Sequence, residues 1–160
     1  MAPSISHPAR APPDRNANSC IARSPCGGGF LCCPGLILIV DDHLDTCQVL
    51  VRLLRVEGIH AECIDDPHAA LAAIESLKPS LLVLDQMMPG LRGTDVLRAV
   101  RRTPGVSHIP AIFYSAAAGG ADEEEARRLG AVDWVTKGRA SWNDLRQKVI
   151  AAYKAGTASN

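Results

Sequence analysis

SLLVLDQMMPGLRG, residues 80–93, is the stretch on which the fold and the chemistry of this chain turn. Leu81, Leu82, Val83 and Leu84 form a short apolar run suited to a sheet interior, and Asp85 follows at once, before a loop marked by Pro89, Gly90 and Gly93. Aspartate is depleted in strands, and burying its charge without partners is costly. A carboxylate fixed at the end of a buried strand therefore implies a chemical use for it.

The same alternation extends outward in both directions. LILIV (36–40) reads as a strand buried on both faces, and residues 43–57 as a helix with Leu44, Cys47, Val51 and Leu54 on one stripe, stopped by Gly58. HAECI (60–64) reads as a weaker strand, and Asp66-Pro67 opens a helix to about Leu77. After Leu81–Leu84 come a helix over 93–102, a strand AIFY (111–114) and a helix over 122–129, with acids at its start and Arg127 and Arg128 at its end. VDWVT (132–136) is the fifth strand. The last helix begins near Ser141, capped with Asp144 three residues on, and is expected to bury Trp142, Leu145, Val149 and Ala152. Five strand-helix units predict an α/β, doubly wound, five-stranded parallel sheet with helices on both faces.

Residues 1–34 read differently: six prolines, the run Gly27-Gly28-Gly29 and no sustained apolar periodicity predict a disordered extension. Cys20, Cys26, Cys32 and Cys33 fall there without the spacing of a zinc knuckle, and are read as reduced thiols of a cytoplasmic protein. The apolar residues 30–40 are interrupted by Pro34-Gly35 and end in Asp41-Asp42, so neither secretion nor membrane insertion is expected. The chain is formally neutral, with the first 35 residues two units positive and the rest two units negative; no nucleic-acid partner is expected from that balance.

Ligands of open parallel sheets bind beyond the carboxyl ends of the strands, where strand order reverses. Asp41 and Asp42 follow the first strand, Asp85 the third, Ser115 the fourth and Lys137 the fifth. Three converging carboxylates repel unless a cation neutralises them, and oxygen ligands suit a hard ion such as Mg2+. Lys137 and Ser115 then complete a cradle for a transferred phosphoryl group, with Asp85 as the nucleophile.

LILIVDD, LLVLDQMMPGLRG, IFYSAA and DWVTKG, in this order and each at a strand end, resemble the motifs of the response-regulator receiver domain over residues 35–155, leaving 156–160 as a tail. The resemblance implies a CheY-like, flavodoxin-like fold with strand order 2-1-3-4-5. It implies that Asp85 accepts phosphate from a sensor histidine kinase or phosphotransfer protein, with no enzymatic activity beyond autophosphorylation and autodephosphorylation. It also implies that Asp41, Asp42, Asp85 and the backbone carbonyl of Met87 hold Mg2+. Ser115 and Lys137 would bind the phosphoryl group, and Ser115 and Trp134 would switch together to remodel a face read by a downstream protein. The family usually has proline after the lysine. Here Gly138 stands in its place, which leaves the aim of Lys137 less restricted, and Gly138→Pro is expected to sharpen it if the local dihedrals accept proline. The sequence stops soon after the fifth helix, which suggests a stand-alone receiver. Two other readings compete. A degenerate receiver would bind partners independently of phosphorylation. A haloacid-dehalogenase-like phosphatase would carry a second Asp two residues after the nucleophile, where this chain has Met87.

Overall fold

The computed structural model of the protein describes residues 35–116 and 120–157. The extension expected over residues 1–34, with its four cysteines, lies outside the described residues. In chain order the elements are β1 (Ile37–Val40), α1 (Leu44–Val56), β2 (Ala61–Ile64), α2 (Ala70–Leu77), β3 (Leu81–Leu84), β4 (Met87–Met88), β5 (Leu91–Arg92), α3 (Gly93–Arg102), β6 (Ala111–Ser115), α4 (Ala121–Arg128), β7 (Asp133–Thr136) and α5 (Trp142–Thr157). The main sheet runs β2-β1-β3-β6-β7 with every pairing parallel, the order expected once β4 and β5 are set aside as a separate two-stranded hairpin.

Because successive strand residues point to opposite faces, each short apolar strand feeds two cores. Leu38, Val40, Leu82, Leu84 and Phe113 pack with Ala70 and Ile74 of α2, Val96, Leu97 and Val100 of α3, and Ala126 of α4. Ile37, Ile39, Leu81, Val83 and Ile112 pack on the other side with Cys47, Leu50 and Leu54 of α1 and Leu145 and Val149 of α5. Each buried aliphatic side chain contributes about 1.5–3 kcal/mol from removal from water alone. The two layers clamp the sheet, and its carboxyl edge is left to carry chemistry. Arg101 ties this frame together from the end of α3: its guanidinium donates to the carbonyls of Ser107, Ile109, Leu129 and Gly130, and burial lowers its pKa.

Local chemistry accounts for where the elements differ from expectation. The helix expected to open at Asp66-Pro67 begins at Ala70, because the Asp66 carboxylate accepts from the His68 amide at 2.9 Å and folds that stretch into a turn. Leu44 is exposed rather than on the buried stripe of α1, which Leu50 joins instead. Trp142 is 38% exposed at the first turn of α5. The cap of α5 matches the sequence: Ser141 Oγ accepts from the Asp144 amide, and the Ser141 amide and hydroxyl donate to the Asp144 carboxylate, bonds that hold its pKa down. The charged face of α4 is solvated, with Glu123–Arg127 and Glu124–Arg128 pairs one turn apart. Among the described residues, no helix is long and apolar enough to cross a membrane.

Cys47, placed by sequence on an apolar stripe, forms a disulfide with Cys63, joining α1 to β2 with a Cα–Cα distance of 5.8 Å. The bridge closes a loop of 16 residues. In the chain-entropy account, closing a loop of that size stabilises by about 3 kcal/mol. Cys63→Ser should therefore lose roughly that much stability relative to the oxidised protein, and reduction of the unmutated protein should lose a similar amount. Urea unfolding with and without reductant measures this; superimposable curves would mean the two thiols do not pair in solution.

Candidate functional site

The site is built from backbone rungs outward. Asp41 follows β1 and Asp85 follows β3, the two strands flanking the point where sheet order reverses. The Asp41 amide donates to the Ile64 carbonyl at 3.2 Å and the Asp85 amide to the Val40 carbonyl at 2.8 Å, so both residues are still fastened to the sheet ladder. Their side chains are almost fully buried, 2% and 3% exposed, while Asp42 beside them faces the rim. The ladder therefore fixes where the carboxylates sit, with little left to side-chain freedom.

Lys137 reaches across from the end of β7. Its Nζ donates to Asp41 Oδ2 at 2.7 Å and to Asp85 Oδ2 at 2.9 Å. Burial by itself would lower the lysine pKa, but hydrogen bonds to the two carboxylates and their charge outweigh it and hold the group above its usual value. Lys137 is therefore an ammonium throughout the physiological range. The backbone amide of Lys137 donates to the Ser115 carbonyl at 2.8 Å, which sets the ends of β6 and β7 side by side. Asp41, Asp85 and Lys137 are brought into direct contact, and Asp42 lies in the same acidic group. Ser115 is fully buried at the end of the adjoining strand. Trp134 lies three residues before Lys137, away from the carboxylates, stacked on Phe113 at 5.0 Å between ring centroids. Met87 is exposed as a side chain, and its amide donates to Asp85 Oδ1 at 3.3 Å.

The donor set suits a hard divalent cation. Asp41, Asp42 and Asp85 offer carboxylate oxygens that, with a His43 ring nitrogen, lie within 4.8 Å of one another. Among the described residues, three carboxylates against the Lys137 ammonium leave two negative charges, which a cation such as Mg2+ would balance. His43 stands beside this set: its Nδ1 is 3.0 Å from Asp42 Oδ1 and its amide donates to Asp41 Oδ1 at 2.9 Å. Its position next to the acidic pair was visible in the sequence; its return toward them through the start of α1 was not.

Two supports for Asp85 also went unread. Gln86 is completely buried, its carboxamide accepting from the Thr94 amide at 3.0 Å and donating to the Thr94 hydroxyl at 3.3 Å, a clasp across the β4–β5 hairpin. Gly93 lies so close to this turn that a Cβ would sit 2.1 Å from the Asp85 carbonyl oxygen and 2.9 Å from the Phe113 ring. The glycine closing the motif is there because the backbone leaves no room for a side chain. At Gly138 the structure reverses an expectation. Its φ is +81°, a conformation proline cannot adopt, since the ring fixes φ near about −65°.

Gly93→Ala should displace the Asp85 carbonyl and destabilise the fold by about 1–3 kcal/mol, with weakened divalent-cation binding; denaturant unfolding and calorimetry read the two effects. Gly138→Pro should disrupt the lysine loop and lower stability instead of sharpening the aim of Lys137. Gly138→Ala should lose only about 1 kcal/mol, because no atom lies within 4 Å of its Cβ position and the strain is in the backbone alone.

Comparison with known proteins matches this geometry. The family model of the response regulator receiver domain matches residues 37–150. The DNA-binding response regulator MtrA of Mycolicibacterium paratuberculosis is 37% identical over 101 residues, covering 63% of this chain and 44% of MtrA. The sensory transduction protein RegX3 of Mycobacterium bovis is 38% identical over 120 residues, covering 75% of this chain and 51% of RegX3. Among solved structures, the receiver domain of the Francisella response regulator 1452 superposes with a TM-score of 0.68 at 27% identity, over 76% of this chain and 98% of that one. The chain thus spans about half the length of the relatives MtrA and RegX3. The expectation of no nucleic-acid partner does not stand, because the MtrA relatives are DNA-binding regulators. Charge balance tests whether this domain itself attracts DNA, and says nothing of what a receiver controls. Fold, motif order and site geometry agree: the chain belongs to the response regulator receiver domain family, the receiver of two-component response regulators.

Proposed function

We propose that the protein accepts a phosphoryl group on Asp85 from a sensor histidine kinase or phosphotransfer protein, in the cytoplasm, and signals through the resulting change at its surface. The observation that carries this reading is the Lys137 ammonium bridging Asp41 and Asp85 at 2.7 and 2.9 Å, on a buried rim with excess negative charge. An Asp85 Oδ atom attacks the donor phosphorus, the new O–P bond forms as the donor's P–N bond breaks, and the donor imidazole leaves with the bonding electrons. Asp41, Asp42, Asp85 and the Met87 carbonyl would hold Mg2+, which neutralises charge on the phosphoryl oxygens when bound. Lys137 supplies a fixed cation for the same oxygens, and the Ser115 hydroxyl supplies a donor from β6. Its chemistry is confined to its own phosphorylation and dephosphorylation.

The output would run through Ser115 and Trp134 to the face of α4, β7 and α5, where Trp134 borders a groove with Glu123, Ala126 and Arg127. New charge on Asp85 would bias this two-state element. The DNA-binding MtrA relatives bring nucleic acid back among the outputs such a receiver serves. The expectation of a stand-alone receiver rested on where the sequence stops and is not carried further. The contact of Lys137 with both carboxylates supports the phosphoacceptor reading over a phosphorylation-independent binding module.

With Mg2+ and radiolabelled acetyl phosphate, the protein should take up label that chelation prevents and that Asp85→Asn abolishes. Equal labelling of the Asn variant, or none of the unmutated protein, would overturn the proposal.

A further inference from the structure

Lys137 must be aimed without the proline its family usually places after it. Gly138 cannot restrict the loop: its φ is +81° and no other group packs within 4 Å of its Cβ position. The backbone amide of Lys137 is held by a bond to the Ser115 carbonyl, which fixes the main chain but does not by itself direct the long side chain. Tyr114, the residue before Ser115 on β6, supplies the missing constraint. Its side chain is 7% exposed, and the Lys137 Nζ lies over its ring at 5.3 Å from the centroid. Trp142, at the start of α5, packs against the same ring with 5.7 Å between centroids.

We propose that Tyr114 is a positioning residue for Lys137, its ring face holding the ammonium toward Asp85 in place of a proline-restricted loop. This rests on the reading of Asp85 as phosphoacceptor and Lys137 as its cation. An ammonium within about 6 Å of an aromatic centroid is drawn to the negative face of the ring, and partial burial strengthens the attraction. The ring differs from the other two contacts of Lys137 in one respect. Asp41 and Asp85 change partners and charge when a divalent cation binds and when Asp85 is phosphorylated, whereas the ring face does not. Consecutive residues of one strand thus hold the two ends of the lysine, the Ser115 carbonyl its amide and the Tyr114 ring its ammonium.

The competing role for Tyr114 is apolar filling of the core shared by α1 and α5. Tyr114→Phe keeps the ring without the hydroxyl; Tyr114→Leu and Tyr114→Met keep apolar volume without the ring, and whichever of these two unfolds most like the unmutated protein is the one compared. The chain has four lysines, so with 13Cε-lysine labelling, and Lys137→Arg for assignment, the Lys137 signal can be followed in the full chain at constant pH. Its ring-current shift should persist in Tyr114→Phe and vanish in the ringless variant. Calorimetry with Mg2+ and beryllofluoride should show affinity reduced about three- to tenfold in the ringless variant and kept within about twofold in Tyr114→Phe. An unchanged lysine signal or unchanged beryllofluoride affinity in the ringless variant overturns the proposal. So does equal weakening in Tyr114→Phe, which would assign the effect to the hydroxyl. If the unmutated protein binds no beryllofluoride, the phosphoacceptor reading fails, and the lysine signal alone still decides whether the ring positions Lys137.

Discussion

The structure depends on one electrostatic constraint: three carboxylates converge on one rim, two of them buried, and among the described residues Lys137 is the lysine that bridges Asp41 and Asp85. Attraction between unlike charges strengthens as the surroundings become less polar, and so does the penalty for an unpaired one. The sheet order brings this about, because β1 and β3 are neighbours and so place Asp41 beside Asp85, and β7 lies within a lysine's reach of both. The residual negative charge would favour a cation at the site, and a bound cation would in turn let an anion approach Asp85.

Around that rim the chain uses backbone more than side chains for precision. The acids hang from ladder hydrogen bonds, Gly93 lets two backbone segments come closer than any side chain would permit, and the Gln86–Thr94 clasp closes the loop with both partners buried. Each device removes freedom from Asp85, whose proposed role as phosphoacceptor requires an oxygen held in line with an incoming phosphorus.

The parts of this arrangement legible in the sequence were those with a local period. Buried strands announce themselves as apolar runs, so the acids after Val40 and Leu84, the serine after Tyr114 and the lysine after Thr136 are assigned to one rim by sequence alone. The helix cap at Ser141 was equally local. What stayed hidden depends on residues that meet only once the chain is folded. Cys47 and Cys63 are far apart in sequence and look like apolar fillers, the ring of Tyr114 finds Lys137 across two strands, and Gln86 finds Thr94 through a hairpin that reads as a loop. Gly138 was noticed as a departure, but its positive φ, which decides what can replace it, is set by the loop and not by composition.

The Cys47–Cys63 bridge has a mechanical consequence. β2 and β7 are the two margins of the sheet, and a margin is where a strand has one neighbour fewer. The β2 margin is stapled covalently to α1, while the β7 margin is joined to α5 by the Lys148–Asp133 ion pair and side-chain packing. Local opening is expected first on the flank with the weaker fastening, so the β7 side should open more readily than the stapled β2 side.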